Sequence, residues 1–250
     1  MDMIRSLRRF LKADLWQDWH GYESDQRRRV PPPPLEKPAA EGARLIALVP
    51  PAAFTVGQMP LIEAINRRRS HRSYKDDPLS LEELSFLLWA TQGVQQVFEG
   101  RVASLRTVPS GGARHPFETY LWANRVTGVD PGLYRYLPLE HKLCLLRTDG
   151  SLAPLIVSGC QGQAFAGGGA VTFVWTAVPY RTEWRYAMVS AKIIAQDSGH
   201  LCQNLYLAAE AIGAGACAIG AYDQGQMDAL LGVDGEEEFV IYVAPVGKII

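Results

Sequence analysis

The chain has 250 residues, 48% hydrophobic and 20% charged, which is enough for one large core without disulfide staples. A net charge of -1 excludes a global pull toward nucleic acid or an anionic membrane, so any anion site must come from local clustering of Arg and Lys. Four cysteines, Cys144, Cys160, Cys202 and Cys217, lack CxxC or Cys/His spacing and read as buried free thiols rather than a zinc site, so no metal is expected.

Residues 1–20 read as a short amphipathic helix, with Ile4, Leu7, Phe10 and Leu11 set among Arg5, Arg8, Arg9 and Lys12. Charges interrupt that pattern, and no run reaches membrane-span length or resembles a signal-peptide core, which points to the cytoplasm. Four consecutive prolines make residues 27–42 an extended arm, so residues 1–42 form an N-terminal helix and arm and residues 43–250 one compact domain.

Within that domain, residues 60–68 read as a helix with Leu61, Ile62 and Ile65 on its apolar stripe. A second helix is predicted over 81–91, with Ser80 as its cap and Glu83 three residues on. Residues 117–124 suit a strand, 133–137 and 142–146 a hairpin with a four-residue connection, and 170–178 a buried strand. The longest helical pattern spans 185–212, with a break expected near Ser198-Gly199 and a stop at Gly213. A short helix follows at 224–231, and the first half of the closing segment 239–250 reads as a strand. A hairpin among interspersed helices argues against a regular βαβ series and for an α+β sheet with packed helices.

Three segments carry candidate chemistry. Arg67, Arg68, Arg69 and Arg72 with Lys75 form the densest positive patch, and guanidinium forks with the Ser70 hydroxyl suit a phosphate; a solvated helix end is the plainer alternative. In PSGGARHP, 109–116, Gly111 and Gly112 allow close approach to the main chain, but neither a P-loop nor a GxGxxG pattern is present. In GAGACAIGAYD, 213–223, the glycines suit a flat ligand or tight packing equally well. No GxSxG elbow supports a hydrolase, and no aromatic stacking platform supports nucleic-acid binding.

Taken in order, these segments resemble the nitroreductase superfamily over roughly residues 60–250, and its SagB-like branch in particular. The resemblance implies an α+β fold with a central, mainly antiparallel sheet flanked by helices. It also implies an intertwined homodimer holding FMN at the interface. INRRRSHRSY is similar to the family's RRSxRxY/F element, which implies that Arg68, Arg69, Ser70 and Arg72 hold the flavin. PSGGARHPF resembles the loop that reaches the flavin from the partner subunit, which puts Pro109, Ser110, Gly111 and Gly112 at the cofactor. By the same resemblance Gly220 and Ala221 lie beside the isoalloxazine ring and Lys248 helps neutralise the phosphate. The stretch 185–213 resembles the branch motif, in which a Lys-Tyr pair acts in azoline dehydrogenases; here the pair is Arg185-Tyr186, assigned as catalytic. Arg stays protonated and cannot serve readily as the base that a Lys can, although it can stabilise an anion. The implied activity is ping-pong hydride transfer through FMN, with NAD(P)H or a small-molecule or peptide substrate as partner. Two alternatives stand beside it: an azoline-to-azole dehydrogenase working with a cyclodehydratase, and a non-catalytic flavin-binding protein.

Overall fold

The computed structural model describes residues 2–148 and 152–249. In chain order the elements are α1 (Asp2–Arg8), β1 (Leu45–Ala47), α2 (Leu61–Arg67), α3 (Leu81–Gln92), β2 (Val94–Val97), β3 (Ser104–Arg106) and β4 (Phe117–Ala123). There follow β5 (Gly132–Leu137), β6 (Lys142–Arg147), α4 (Leu152–Gly159), β7 (Val171–Ala177) and α5 (Tyr180–Tyr186). The chain closes with α6 (Ser190–Ala211), β8 (Ala214–Ala216), α7 (Gln224–Leu231) and β9 (Phe239–Lys248). Seven strands form one sheet in the order β1-β6-β5-β4-β7-β9-β8, every neighbouring pair antiparallel. The strands β2 and β3 make a separate hairpin.

Strand alternation divides the core into two layers. Leu121, Phe173, Trp175 and Ala244 face Leu84, Leu88, Leu201 and Leu205 of α3 and α6. Tyr120, Trp122, Val174 and Val243 face Leu152 and Ile156 of α4 and Met227 and Leu231 of α7. β4 and β7 are buried along their whole length, and each large apolar side chain removed from water there contributes about 1.5–3 kcal/mol. All four cysteines are buried and unpaired.

The locally encoded elements follow the sequence. Ser80 caps α3 by accepting from the Glu83 amide while the Glu83 carboxylate accepts from the Ser80 amide, a complete capping box. The β5–β6 hairpin turns through residues 138–141, and Asp223 caps α7.

Four expectations are corrected. Residues 1–20 are not one helix: α1 stops at Arg8 and gives way to three short 3-10 turns with Leu7 and Leu11 each 68% exposed. No core packing is available there to offset the poor geometry of so short a helix. The break expected near Ser198-Gly199 is absent; α6 runs unbroken for 22 residues and the break falls at Ala187, φ +46. The Ser198 hydroxyl donates to the Ala195 carbonyl at 2.8 Å, and Gly199 sits on an open face, so the packed length of α6 carries both residues. β9 continues past its first half, through Pro245, to Lys248. Pro is depleted in strands because it lacks a donor, yet here a seven-pair ladder with β7 flanks it. Finally, the apolar stripe of α2 is uncovered in this chain, with Leu61, Ile62 and Ile65 at 64%, 72% and 55% exposure.

Residues 22–42 lie along the body rather than hanging free of it. Gln26 N donates to Trp184 O at 2.8 Å, Trp184 Nε1 to Val30 O at 2.9 Å, and buried Arg106 Nη2 to Leu35 O at 2.9 Å. Lys37 N donates to Glu118 Oε1 at 2.8 Å, and Arg135 Nη2 to Pro38 O at 2.7 Å. This clasp also fixes α5, because Arg181 pairs with the same Glu118 in a nearly dry setting.

Candidate functional site

The predicted site residues fall into two groups, presented from opposite ends of α6. The first gathers the basic run after α2, the C-terminal half of α6 and the segment after β8. Ser70 bridges to Ala216 in parallel, and His71 N donates to Ala216 O at 3.0 Å, which pins the run against β8. The Arg68 guanidinium carbon stands 5.4 Å from the Tyr206 ring centre, and that of Arg72 stands 5.6 Å from the Phe165 ring. Arg69 turns back on its own chain, donating to the carbonyls of Asn66 at 3.0 Å and Arg68 at 2.8 Å. Among the described residues, neither Arg68 nor Arg72 has a carboxylate within ion-pair distance. Buried Glu210 accepts from the Arg69 amide at 3.4 Å and faces His71 Nε2 at 3.5 Å, so its charge is directed at those groups.

Tyr206 joins this group together. Its hydroxyl accepts from Ala218 N at 2.7 Å and lies 3.2 Å from Ser70 Oγ, while its ring carries Arg68. Gly220 and Ala221 follow on an exposed loop held by the Ile219–Val243 bridge. Ala221 O accepts from Gln163 Nε2 at 3.0 Å, and no atom lies within 4 Å of a Cβ built on Gly220. The turn around residues 163–165 thus touches both Arg72 and Ala221. Lys248 stands apart: its ammonium pairs with Glu83 and donates to Ile212 O at 2.9 Å.

The second group gathers Pro109, Ser110, Gly111 and Gly112 with α5 and the N-terminal half of α6. Ser110 Oγ donates to Asp197 Oδ2 at 2.6 Å, and Gly111 N to the same oxygen at 3.1 Å. Burial raises the Asp197 pKa, and those two bonds oppose the rise. Gly112 has φ +60, and a Cβ there would meet the Tyr186 hydroxyl at 2.6 Å and Arg185 Cδ at 3.0 Å. Its glycine identity therefore lets the loop pass beneath Arg185 and Tyr186. The Arg185 guanidinium carbon lies 5.4 Å from the Tyr186 ring centre. Tyr186, Gly111, Asp197, His200 and Trp16 help to line a cavity of about 600 Å³. Beside the loop, burial first and the charges of Arg106 and Arg114 second push the His115 pKa down to about 3.

Asp197 and Tyr206 are nine residues apart on one helix, about 14 Å at 1.5 Å per residue, so the groups are separate within a chain. The first offers uncompensated guanidinium groups, a hydroxyl and an open glycine loop, a donor set that fits the phosphate and flat ring of a flavin mononucleotide. The second offers a phenol, a guanidinium and a sheltered carboxylate around a cavity. The sequence reading missed Tyr206, although it is the one aromatic residue of α6, and Trp16, which lies far away in sequence.

Comparisons with known proteins agree with this architecture. The family model of the nitroreductase family matches residues 65–248. A protein of Methanocaldococcus jannaschii described as a nitroreductase is 31% identical over 197 residues, covering 76% of this chain and 95% of that protein. The crystal structure of a protein of Ralstonia eutropha JMP134, likewise described as a nitroreductase, superposes with a TM-score of 0.68 at 28% identity, covering 88% of this chain and 95% of that one. The Escherichia coli microcin synthetase McbBCD complex, bound to truncated pro-MccB17, contains a chain with the same fold: TM-score 0.61, 19% identity, 84% and 79% covered.

Proposed function

The chain belongs to the nitroreductase family, and from that premise we propose that it is an FMN-dependent oxidoreductase with its site completed by a second copy. The observation that carries this reading is the pair of guanidinium groups, Arg68 and Arg72, held on aromatic rings with no carboxylate counter-charge among the described residues, beside the open Gly220 loop. Bound there, FMN would supply hydride transfer, taking two electrons from one molecule and passing them to another.

The chain's own residues would do the rest. Arg68 and Ser70 would hold the phosphate end, with Arg69 adding charge from beside them because its guanidinium is engaged with the Asn66 and Arg68 carbonyls, and Arg72 placing positive charge at the ring edge, where reduction builds negative charge. Gly220 and Ala221 would let the ring lie against main chain. Lys248 would act at longer range, because Glu83 already engages its ammonium. The second group, with Pro109, Ser110, Gly111, Gly112, Arg185 and Tyr186, would come from the partner. The separation of about 14 Å along α6 supports this division. So do the uncovered stripe of α2 and the apolar groove beside it, lined by Met59, Phe86, Trp89 and Leu207. Tyr186 would hold or relay a proton at its hydroxyl, and Arg185 would stabilise an anionic substrate group.

A second reading, oxidation of peptide azolines beside a cyclodehydratase, draws support from the SagB-like motif around Asp197, His200 and Asn204 and from the fold shared with the microcin synthetase chain. Arg185 weighs against it, since a permanent cation cannot accept the proton that azoline oxidation releases. Anaerobic titration of the purified protein with NADH and NADPH, followed by flavin absorbance, tests the proposal. Bleaching by either nucleotide identifies a nicotinamide-fed reductase. A yellow protein that stays oxidised with every candidate donor points to a non-catalytic binder, and a colourless protein that takes up no added FMN overturns the reading.

A further inference from the structure

The cavity beside Tyr186 has one wall that the compact domain does not supply. From residues 10–19, Trp16 joins Tyr186, Gly111, Asp197 and His200 in lining it. The Trp16 ring centre lies 6.0 Å from Tyr186 at 69° and 5.8 Å from Trp19 at 41°, and Trp19 lies 6.4 Å from Tyr186. Three rings thus meet edge to face or tilted, the arrangement in which aromatic quadrupoles attract.

The segment carrying Trp16 is tied at both ends and little buried between them. At one end Lys192 Nζ donates to Leu11 O at 2.6 Å. At the other, the Arg27 guanidinium stacks 4.3 Å from the Trp19 ring centre and donates to Tyr22 O at 2.7 Å. Between the ties lies one three-residue 3-10 turn, Asp14–Trp16, with no buried residue, and Trp16 itself is 40% exposed. Few buried contacts over a tethered stretch make local opening inexpensive.

We propose that residues 10–19 form a lid over the Tyr186 cavity and that Trp16 determines which molecules the cavity accepts. This rests on the reading of the cavity as the substrate side of the site. The lining combines the indole of Trp16 and the phenol of Tyr186 with the polar side chains of Gln196, Asp197 and His200. A cavity with this mixed lining suits a flat ring with one polar edge, the ring against Trp16 and the edge toward the polar side chains. A puckered ring of the same size loses the aromatic contact.

Calorimetric titration of the full-length protein with benzamide and with cyclohexanecarboxamide tests this, because the two probes share an amide and differ in ring planarity. The parent protein is expected to prefer benzamide by about threefold to tenfold, the worth of one aromatic contact. Trp16→Ala should abolish the preference, and Trp16→Phe should keep most of it. Trp16 is partly exposed, so neither variant endangers the core. No preference in the parent, or an undiminished one in Trp16→Ala, overturns the proposal. Flavin content of the same samples reports separately on the cofactor: a protein without FMN that still shows the Trp16-dependent preference contradicts the flavin reading and leaves the lid standing.

Discussion

Gly112→Ala inserts one methyl group at the point where the glycine loop passes under Tyr186. That carbon would lie 2.6 Å from the Tyr186 hydroxyl and 3.0 Å from Cδ and Nε of Arg185, against an ordinary contact of 3.4 Å or more. The hydroxyl must therefore withdraw by nearly an ångström, or the loop must move instead. The backbone φ of +60 adds about 1 kcal/mol for a residue with a Cβ. For a chain of this size each kcal/mol corresponds to about 2–4 °C in Tm, so a fall of at least that much is expected. A shift of about 1 Å in a group acting on substrate lowers turnover by about a hundredfold. Thermal unfolding and stopped-flow flavin reduction, run on the parent and the variant, measure the two effects. The nearest obstruction is a hydroxyl oxygen, so Gly112→Ala combined with Tyr186→Phe should recover part of the lost Tm. A Gly112→Ala protein with unchanged Tm and unchanged turnover would refute the packing argument.

Replacing Arg68 and Arg72 together by Ala removes two charge-assisted contacts and should weaken FMN binding by about a hundredfold or more, measured by flavin fluorescence titration; normal affinity contradicts the phosphate assignment. Tyr186→Phe alone should lower the rate of flavin reduction more than it lowers FMN affinity, and unchanged reduction and reoxidation rates would remove Tyr186 from the chemistry. His115 carries an acid-stability prediction, since its pKa is about 3 in the fold against 6.5 in an unfolded chain. The native state binds fewer protons across that window, so the contribution is present above pH 6.5 and is lost as pH falls toward 3, by up to about 1.4 kcal/mol per pH unit. Asn tolerates the left-handed backbone of His115, φ +45, so urea unfolding of His115→Asn from pH 7 to pH 4.5 should show a shallower decline than the parent; parallel declines would contradict the assignment.

Features encoded over a few neighbouring residues were legible in the sequence. Ser80 and Glu83 write a capping box in two letters, and Pro138-Leu139-Glu140-His141 separates two β-prone runs as a hairpin turn does. The wholly apolar run of β7 could hardly lie anywhere but in a sheet core. The arginine run and the SGGA loop stood out because their residue types are unusual and adjacent. Features set by distant packing were hidden. The Ala187 kink ends α5, which the distant arm contacts through Trp184, whereas Gly199 suggested a break that the packed α6 does not need. Periodicity marked Leu61, Ile62 and Ile65 as a face to be buried but could not say that they stay 55–72% exposed among the described residues. Lys248 looked available for a phosphate until Glu83, which lies 165 positions away, was found at its ammonium. Trp16 and Tyr186 are likewise strangers in sequence that meet only through the path of the N-terminal segment.

On the proposed reading, two chains pool the half-sites borne on the two halves of α6 around a flavin. Native mass spectrometry of the purified protein reads this directly. The expected species is two chains carrying two FMN molecules, with the flavin lost and the dimer kept when Arg68 and Arg72 are replaced. A monomer that retains one tightly bound FMN would contradict it.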